Sequence, residues 1–264
     1  MKKRILIVGN WKMNLNVHEA SLLVKRLNDH IQVHKDIEVV LAPSLFTLQP
    51  ISKEVDKRKF KLAAQNAYFK DEGAYTGEVS FTMLSGIVDY AIIGHSERRI
   101  YFGENLEMIR DKVQAAIRND ITPILCVGET QHERANGETK RVVHDQVTTA
   151  LSNLTADEVE RTVIAYEPVW AISTFGGTLA KPHEVKQVTD QIRYQVGELY
   201  GDETAKNLRV IYGGSVDDHT ANGYLEIDGV EGLLPGNASL NYKKFSGIID
   251  GAYRLLHKEA KSYG

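Results

Sequence analysis

The chain has 264 residues, of which 42% are hydrophobic and 25% charged, with a formal net charge of −3 at pH 7. That length holds one large α/β domain or two smaller ones, and the apolar content is enough for a sizeable core. A slightly acidic balance offers nucleic acid and anionic membranes no foothold, and the short basic cluster Lys57-Arg58-Lys59, without interleaved aromatics, is expected to be solvated.

From the N-terminus, the first apolar run is RILIVG (4–9), which ends in Gly9-Asn10-Trp11-Lys12. It is too short for a secretory leader, and no run in the chain approaches the ~18 apolar residues of a membrane span. HEASLLVKRLNDHI then sets Ala20, Leu23, Val24, Leu27 and Ile31 at helical spacing with charges opposite. IEVVLAP (37–43) and FKLAAQN (60–66) are further apolar runs, separated by a weaker helical pattern. VDYAIIG (88–94) leads into His95-Ser96-Glu97-Arg98-Arg99, again after a short, weak segment. Asn105 is a candidate N-cap for a helix carrying Leu106, Ile109, Val113 and Ile117 on one face. TPILCVG (122–128) ends at Glu129, and TVIAYE (162–167) ends at Glu167 before Pro168. A long helical pattern (181–200) precedes LRVIYGG (208–214), and VEGLLPG (230–236) precedes the last one (241–260).

Most of these runs are continuously apolar rather than alternating, which suits strands buried on both faces of a parallel sheet. Eight strand–helix units with no linker predict a single (β/α)8 barrel spanning residues 1–264 as one domain. A doubly wound open sheet is the alternative, but it usually has fewer strands, and the first turn here is not G-x-G-x-x-G.

In such a barrel the chemistry sits where strands end. Those ends carry Asn10 and Lys12, Gln65 and Asn66, His95 to Arg99, Glu129, Glu167, Gly213-Gly214-Ser215, and Gly236-Asn237-Ala238-Ser239. Each is weak alone, since a strand-end histidine or glutamate is often structural; their convergence on one rim is the signal. The glycine turns after the seventh and eighth runs suit a phosphate, because glycine lets backbone N–H groups approach an anion closely. A small phosphorylated molecule is therefore the expected ligand. No P-loop pattern and no metal-spaced His/Cys cluster occurs, so no cofactor or metal is expected. His18, His30, His34, His132, His144, His183, His219 and His257 are scattered and read as surface residues. Cys126, the single cysteine, reads as a small core residue; with no intrachain disulfide possible, a reducing, cytoplasmic setting is expected.

The segments GNWKMN (9–14), AQNAYFKDEGAYTGEVSFTML (64–84), IIGHSERRIYFGE (92–104), ILCVGE (124–129), AYEPVWAI (165–172), YGGSV (212–216) and GLLPGNASL (232–240) closely resemble the triosephosphate isomerase family, in order and along nearly the whole chain. The resemblance implies a single (β/α)8 TIM barrel and a cofactor-independent aldose–ketose isomerase acting on dihydroxyacetone phosphate and D-glyceraldehyde 3-phosphate. Glu167 matches the base that moves a proton through an enediolate, and His95 the neutral imidazole that polarises the carbonyl. Lys12 matches the cation that stabilises substrate and enediolate charge. Asn10 matches a neighbouring donor, and Glu97 a carboxylate near the lysine. Ser215 with Gly236-Asn237 matches the phosphate grip, to which Ser173 contributes a lid N–H. The 73–80 loop, carrying Thr76, matches a loop that inserts beside the active site of a second subunit, which implies a homodimer. The lid after Glu167 would exclude water and protect an enediolate that can otherwise lose its phosphate.

The lid departs from the family's usual Ala-Ile-Gly-Thr-Gly-Lys-Thr-Ala. It reads Ala171-Ile172-Ser173-Thr174-Phe175-Gly176-Gly177-Thr178-Leu179-Ala180, and relative to Pro182 it is about two residues longer. Ser173 replaces a glycine and so restricts φ, the usual lysine is missing, and Gly176-Gly177 adds freedom. The final turn reads Pro235-Gly236-Asn237 rather than Val-Gly-Gly. A looser lid is expected to lower the specificity constant unless Phe175 packs on the barrel rim. Two rival functions follow: a paralogue isomerising a four-carbon ketose phosphate by the same chemistry, and a catalytically dead phosphosugar binder. Intact Lys12, His95 and Glu167 count against the second, since a pure binder needs no base.

Overall fold

The computed structural model describes residues 4–262. Its elements in chain order are β1 (Ile5–Asn10), α1 (Val17–His30), β2 (Ile37–Ala42), α2 (Leu45–Ser52), β3 (Phe60–Ala64), α3 (Phe81–Leu84), β4 (Tyr90–Ile93), α4 (Ser96–Tyr101), α5 (Leu106–Arg118) and β5 (Thr122–Val127). They continue with α6 (Gln131–Ala135), α7 (Thr139–Leu151), α8 (Ala156–Glu160), β6 (Val163–Tyr166), α9 (Pro182–Tyr200), α10 (Asp202–Asn207), β7 (Arg209–Tyr212), α11 (Ala221–Leu225), β8 (Gly232–Leu233) and α12 (Tyr242–Ser262). Short 3₁₀ turns cover Val169–Ala171, Ser173–Phe175 and Asn237–Leu240. The strands pair in parallel in sequence order, and β8 returns to β1 to close the barrel. The (β/α)8 expectation holds and the open sheet does not.

Strand alternation decides what faces the barrel axis. Leu6, Val8, Val40, Ala42, Ala63, Ile92, Ile124, Cys126, Val163, Ala165, Ile211 and Leu234 form one apolar cluster, the barrel interior. The intervening residues, such as Ile7, Leu41, Leu125 and Ile164, join the larger cluster beneath the helices. Both faces are dry, which is why the runs are continuously apolar. Continuing the inward period of two past each strand brings Asn10, Gln65, Glu167, Gly213 and Gly236 to the carboxyl mouth.

The same parity places Glu38, Lys61, Tyr90 and Arg209 at the opposite end. There Glu38 accepts from Tyr90 Oη at 2.6 Å and pairs with Lys61 Nζ at 2.9 Å, with Arg4 and Arg209 nitrogens at 3.9 Å. Burial pushes the Glu38 carboxyl up, but the bonds from Tyr90 and Lys61 and the nearby cations outweigh it, and the net shift is downward.

Helix boundaries follow local chemistry. Asn16, Thr130 and Thr155 each open a helix with a capping box, and Asn105 caps α5 as expected. The two weak segments become α2, interrupted by Pro50, and the single-turn α3. His34 is a correction. It is half-buried rather than a surface residue, because α12 brings Tyr253 to stack on it at 4.1 Å, and burial lowers its pKa. Cys126 is buried as expected. No helix among the described residues is long and apolar enough to cross a membrane.

Candidate active site

The mouth of the barrel opens on a cavity of about 440 Å³. One end is lined by Asn10, Lys12, His95 and Glu167, the other by the loops after β7 and β8, with the lid between them.

Lys12 reaches this cavity from a left-handed backbone, φ 53°, unusual for a residue with a side chain. Such a conformation costs on the order of 1–3 kcal/mol and persists only where its surroundings over-determine it. Here Asn10 Oδ1 accepts the Lys12 N–H at 3.1 Å, and Gln65 Nε2 donates at 2.8 Å to both the Lys12 and Ala42 carbonyls. Lys12 Nζ then meets Glu97 Oε1 at 2.6 Å. Burial pushes the Glu97 carboxyl up, but the Lys12 hydrogen bond and charge and a bond from Thr174 hold it below the usual range.

His95 stands at the N-cap of α4, where its Nδ1 accepts the Glu97 N–H at 3.2 Å. A ring that accepts at Nδ1 carries its hydrogen on Nε2 when neutral, so a donor faces the cavity. That Nε2 lies 3.3 Å from Glu167 Oε1. Glu167 is only 2% exposed, and its second oxygen, Oε2, is buried without a hydrogen-bond partner among the described residues.

Two glycines make room for Glu167, one beside its side chain and one beside its backbone. A Cβ at Gly213 would come within 2.6 Å of Glu167 Cγ, and one at Gly128 within 1.9 Å of the Glu167 carbonyl oxygen. Beneath Glu167 lies Cys126, whose thiol is pushed well up by burial and by the Glu167 charge, leaving it a protonated core residue.

Behind Glu167 the chain is clamped. Glu129, on the rim but without an assigned role in the sequence reading, accepts from Trp170 Nε1 at 2.9 Å and from Tyr166 Oη at 3.2 Å. The Arg134 guanidinium sits 3.8 Å over the Trp170 ring.

At the far end, Gly236 leads into the 3₁₀ turn Asn237–Leu240. Among the described residues, the N–H groups of Gly214, Gly236 and Asn237 have no acceptor. Three unsatisfied donors on two neighbouring turns suit an anion. Ser215 completes this wall, with its Oγ 3.0 Å from Ser173 Oγ on the lid and its N–H donating to the Ala171 carbonyl at 2.9 Å. Gly176 and Gly177 adopt φ of 138° and 64°, conformations that need glycine. Phe175 does pack on the rim, stacked on Tyr101 with ring centroids 5.7 Å apart.

Every residue expected to act on substrate lines the one cavity except Glu97, which lies behind Lys12 and lines an adjoining cavity of about 280 Å³. Gly128 and Gly213 as spacers, and Thr174 as a donor to Glu97, have no signal in the sequence that reveals these functions. Among the described residues no group of three or more His, Cys, Asp or Glu is placed to hold a metal ion.

A family model described as triosephosphate isomerase matches residues 5–252. The chain is 43% identical over 249 residues to the triosephosphate isomerase of Clostridium tetani, covering 94% of this chain and 96% of that protein. It is 41% identical over 251 residues to that of Carboxydothermus hydrogenoformans, covering 95% and 99%. With that of Clostridium beijerinckii it shares 40% over 249 residues, covering 94% and 99%.

Proposed function

The chain belongs to the triosephosphate isomerase family, and from that premise we propose which of its residues carry the reaction. The protein is an isomerase that interconverts dihydroxyacetone phosphate and D-glyceraldehyde 3-phosphate, a glycolytic step.

Glu167 is the base. It takes a proton from the hydroxyl-bearing carbon beside the carbonyl and returns it to the carbonyl carbon through an enediolate, while the hydroxyl proton passes to the former carbonyl oxygen. His95 Nε2–H donates to the oxygen on which charge develops, and Lys12 stabilises the same charge with Asn10 beside it. Glu97 holds Lys12 in place. The N–H groups of Gly214, Gly236 and Asn237, with Ser215 and the lid residue Ser173, hold the phosphate. Proton transfer between adjacent carbons needs a base, donors and a dry site, and no redox group takes part. The carrying observation is the 3.3 Å approach of His95 Nε2 to Glu167 Oε1 in one cavity with free backbone donors at its far end.

The working form is a homodimer, and the single domain assigned to residues 1–264 is the barrel, with 1–3 and 263–264 outside the described residues. Residues 73–78 are exposed, and the base of their loop is closed by the Tyr68 N–H donating to the Val79 carbonyl at 2.8 Å. The cavity beside the Lys12–Glu97 pair is lined by Met13, Leu45, Gln65 and Phe102, with Met13 95% and Phe102 66% exposed. We assign this cavity to a second subunit's 73–80 loop. One buried free cysteine accords with a cytoplasmic setting.

Steady-state kinetics with three- and four-carbon sugar phosphates side by side test the reading. The three-carbon pair is expected to give the higher kcat/KM; faster turnover of a four-carbon ketose phosphate would overturn it in favour of the paralogue.

A further inference from the structure

The lid tip lies across the mouth rather than beside it. Ser173 Oγ meets Ser215 Oγ at 3.0 Å on the β7 side. The next residue, Thr174, donates from Oγ1 to Glu97 Oε1 at 3.1 Å on α4, and Phe175 stacks on Tyr101 at the end of the same helix. Three consecutive side chains of the β6 loop thus bridge the loop after β7 to the helix after β4. The tip is braced internally, since the Phe175 and Gly177 N–H groups both donate to the Ile172 carbonyl, at 2.9 and 3.1 Å.

The oxygen that takes the Thr174 hydroxyl also takes the ammonium of Lys12, at 2.6 Å. We infer that Thr174 is a positioning residue for Lys12, coupling the lid to the lysine through their shared carboxylate oxygen. When substrate charge draws Lys12 Nζ away, Glu97 loses its charged donor, and a half-buried carboxylate left without a donor is costly. With the lid across the mouth, the Thr174 hydroxyl already occupies that oxygen and keeps it satisfied. With the lid away, Glu97 has Lys12 alone and retains it. Lid closure and release of the lysine toward substrate are then one event. Phe175 sets the position of the tip by packing on Tyr101, offsetting the freedom of Gly176 and Gly177 behind it.

The inference rests on the roles proposed for Lys12 and Glu97, and the test separates the two. Thr174→Val keeps the shape and removes the donor, and Thr174→Ser restores it. Thr174→Val is expected to lower kcat/KM for glyceraldehyde 3-phosphate about tenfold, equivalent to about 1.4 kcal/mol. It should weaken 2-phosphoglycolate binding by a similar factor, and Thr174→Ser should recover most of both. In a Glu97→Ala background the same Thr174→Val change should shift 2-phosphoglycolate affinity less than about twofold, because its partner is gone. An unchanged kcat/KM in Thr174→Val, or a loss of equal size in the Glu97→Ala background, overturns the coupling while leaving the site assignment standing. Near-native activity in both Lys12→Ala and Glu97→Ala overturns the assignment and the coupling together.

Discussion

His95 Nε2 and Glu167 Oε1 face each other at 3.3 Å, one at the start of α4 and the other just past β6. A donor and a carboxylate at that spacing can serve adjacent atoms of one small substrate, the carbonyl oxygen and the neighbouring carbon. Glu167→Gln removes the proposed base and keeps the shape. Turnover is expected to fall by several orders of magnitude, while 2-phosphoglycolate affinity changes far less. Glu167→Asp draws the carboxylate back by one methylene, on a scale where a misplacement of about 1 Å costs about 10²-fold. Steady-state kinetics beside calorimetric binding check both; near-normal turnover in Glu167→Gln would mean another group is the base.

Gly213 tests the same geometry from outside the reacting groups. A methyl there would meet Glu167 Cγ at 2.6 Å, closer than packed atoms tolerate, and the glutamate must swing. Gly213→Ala is expected to lower kcat by about 10²-fold, with far-ultraviolet circular dichroism unchanged. Full activity would show that the Glu167 position has more slack than the packing implies.

The dimer proposal predicts a response at the 73–80 loop, whose exposed tip carries Tyr75 and Thr76. Native protein should scatter light as a dimer at micromolar concentration. Thr76→Arg, or deletion around Tyr75-Thr76-Gly77, should give monomers with low activity. A fully active monomer would remove this loop from the site.

Glu38 sets a pH dependence of stability at the far end of the barrel. Its folded-state pKa lies below the ordinary 4.5, so its contribution is present above that value and is lost as pH falls through the lowered folded value. Glu38→Gln should therefore be less stable than the native chain by about 2 kcal/mol at pH 7, with the gap closing as the pH is lowered below 4.5. Urea titrations at both pH values read this directly, and a gap independent of pH would show that the charge of Glu38 is not what stabilises the barrel floor.

The sequence by itself determined the barrel and the membership of its rim. Continuous apolar runs require strands buried on both faces, and the period of two carries Asn10, Glu167 and Gly236 inward past the strand ends whatever the surroundings. Motif resemblance pointed to the roles of Lys12, His95 and Glu97, because those residues stand in runs that read the same way across the family. Distances between loops that are remote in sequence were decided only by the tertiary structure. Thr174 and Glu97 are 77 positions apart, and nothing in either segment names the other. Gly213 reads as one half of a phosphate turn, yet its missing side chain also makes room for Glu167. His34 reads as one more scattered histidine until α12 closes over it with Tyr253. Local pattern encodes which face a residue turns, because backbone geometry repeats every two or 3.6 residues. What that face meets depends on how the closed barrel sets its loops against one another, and no local period carries that.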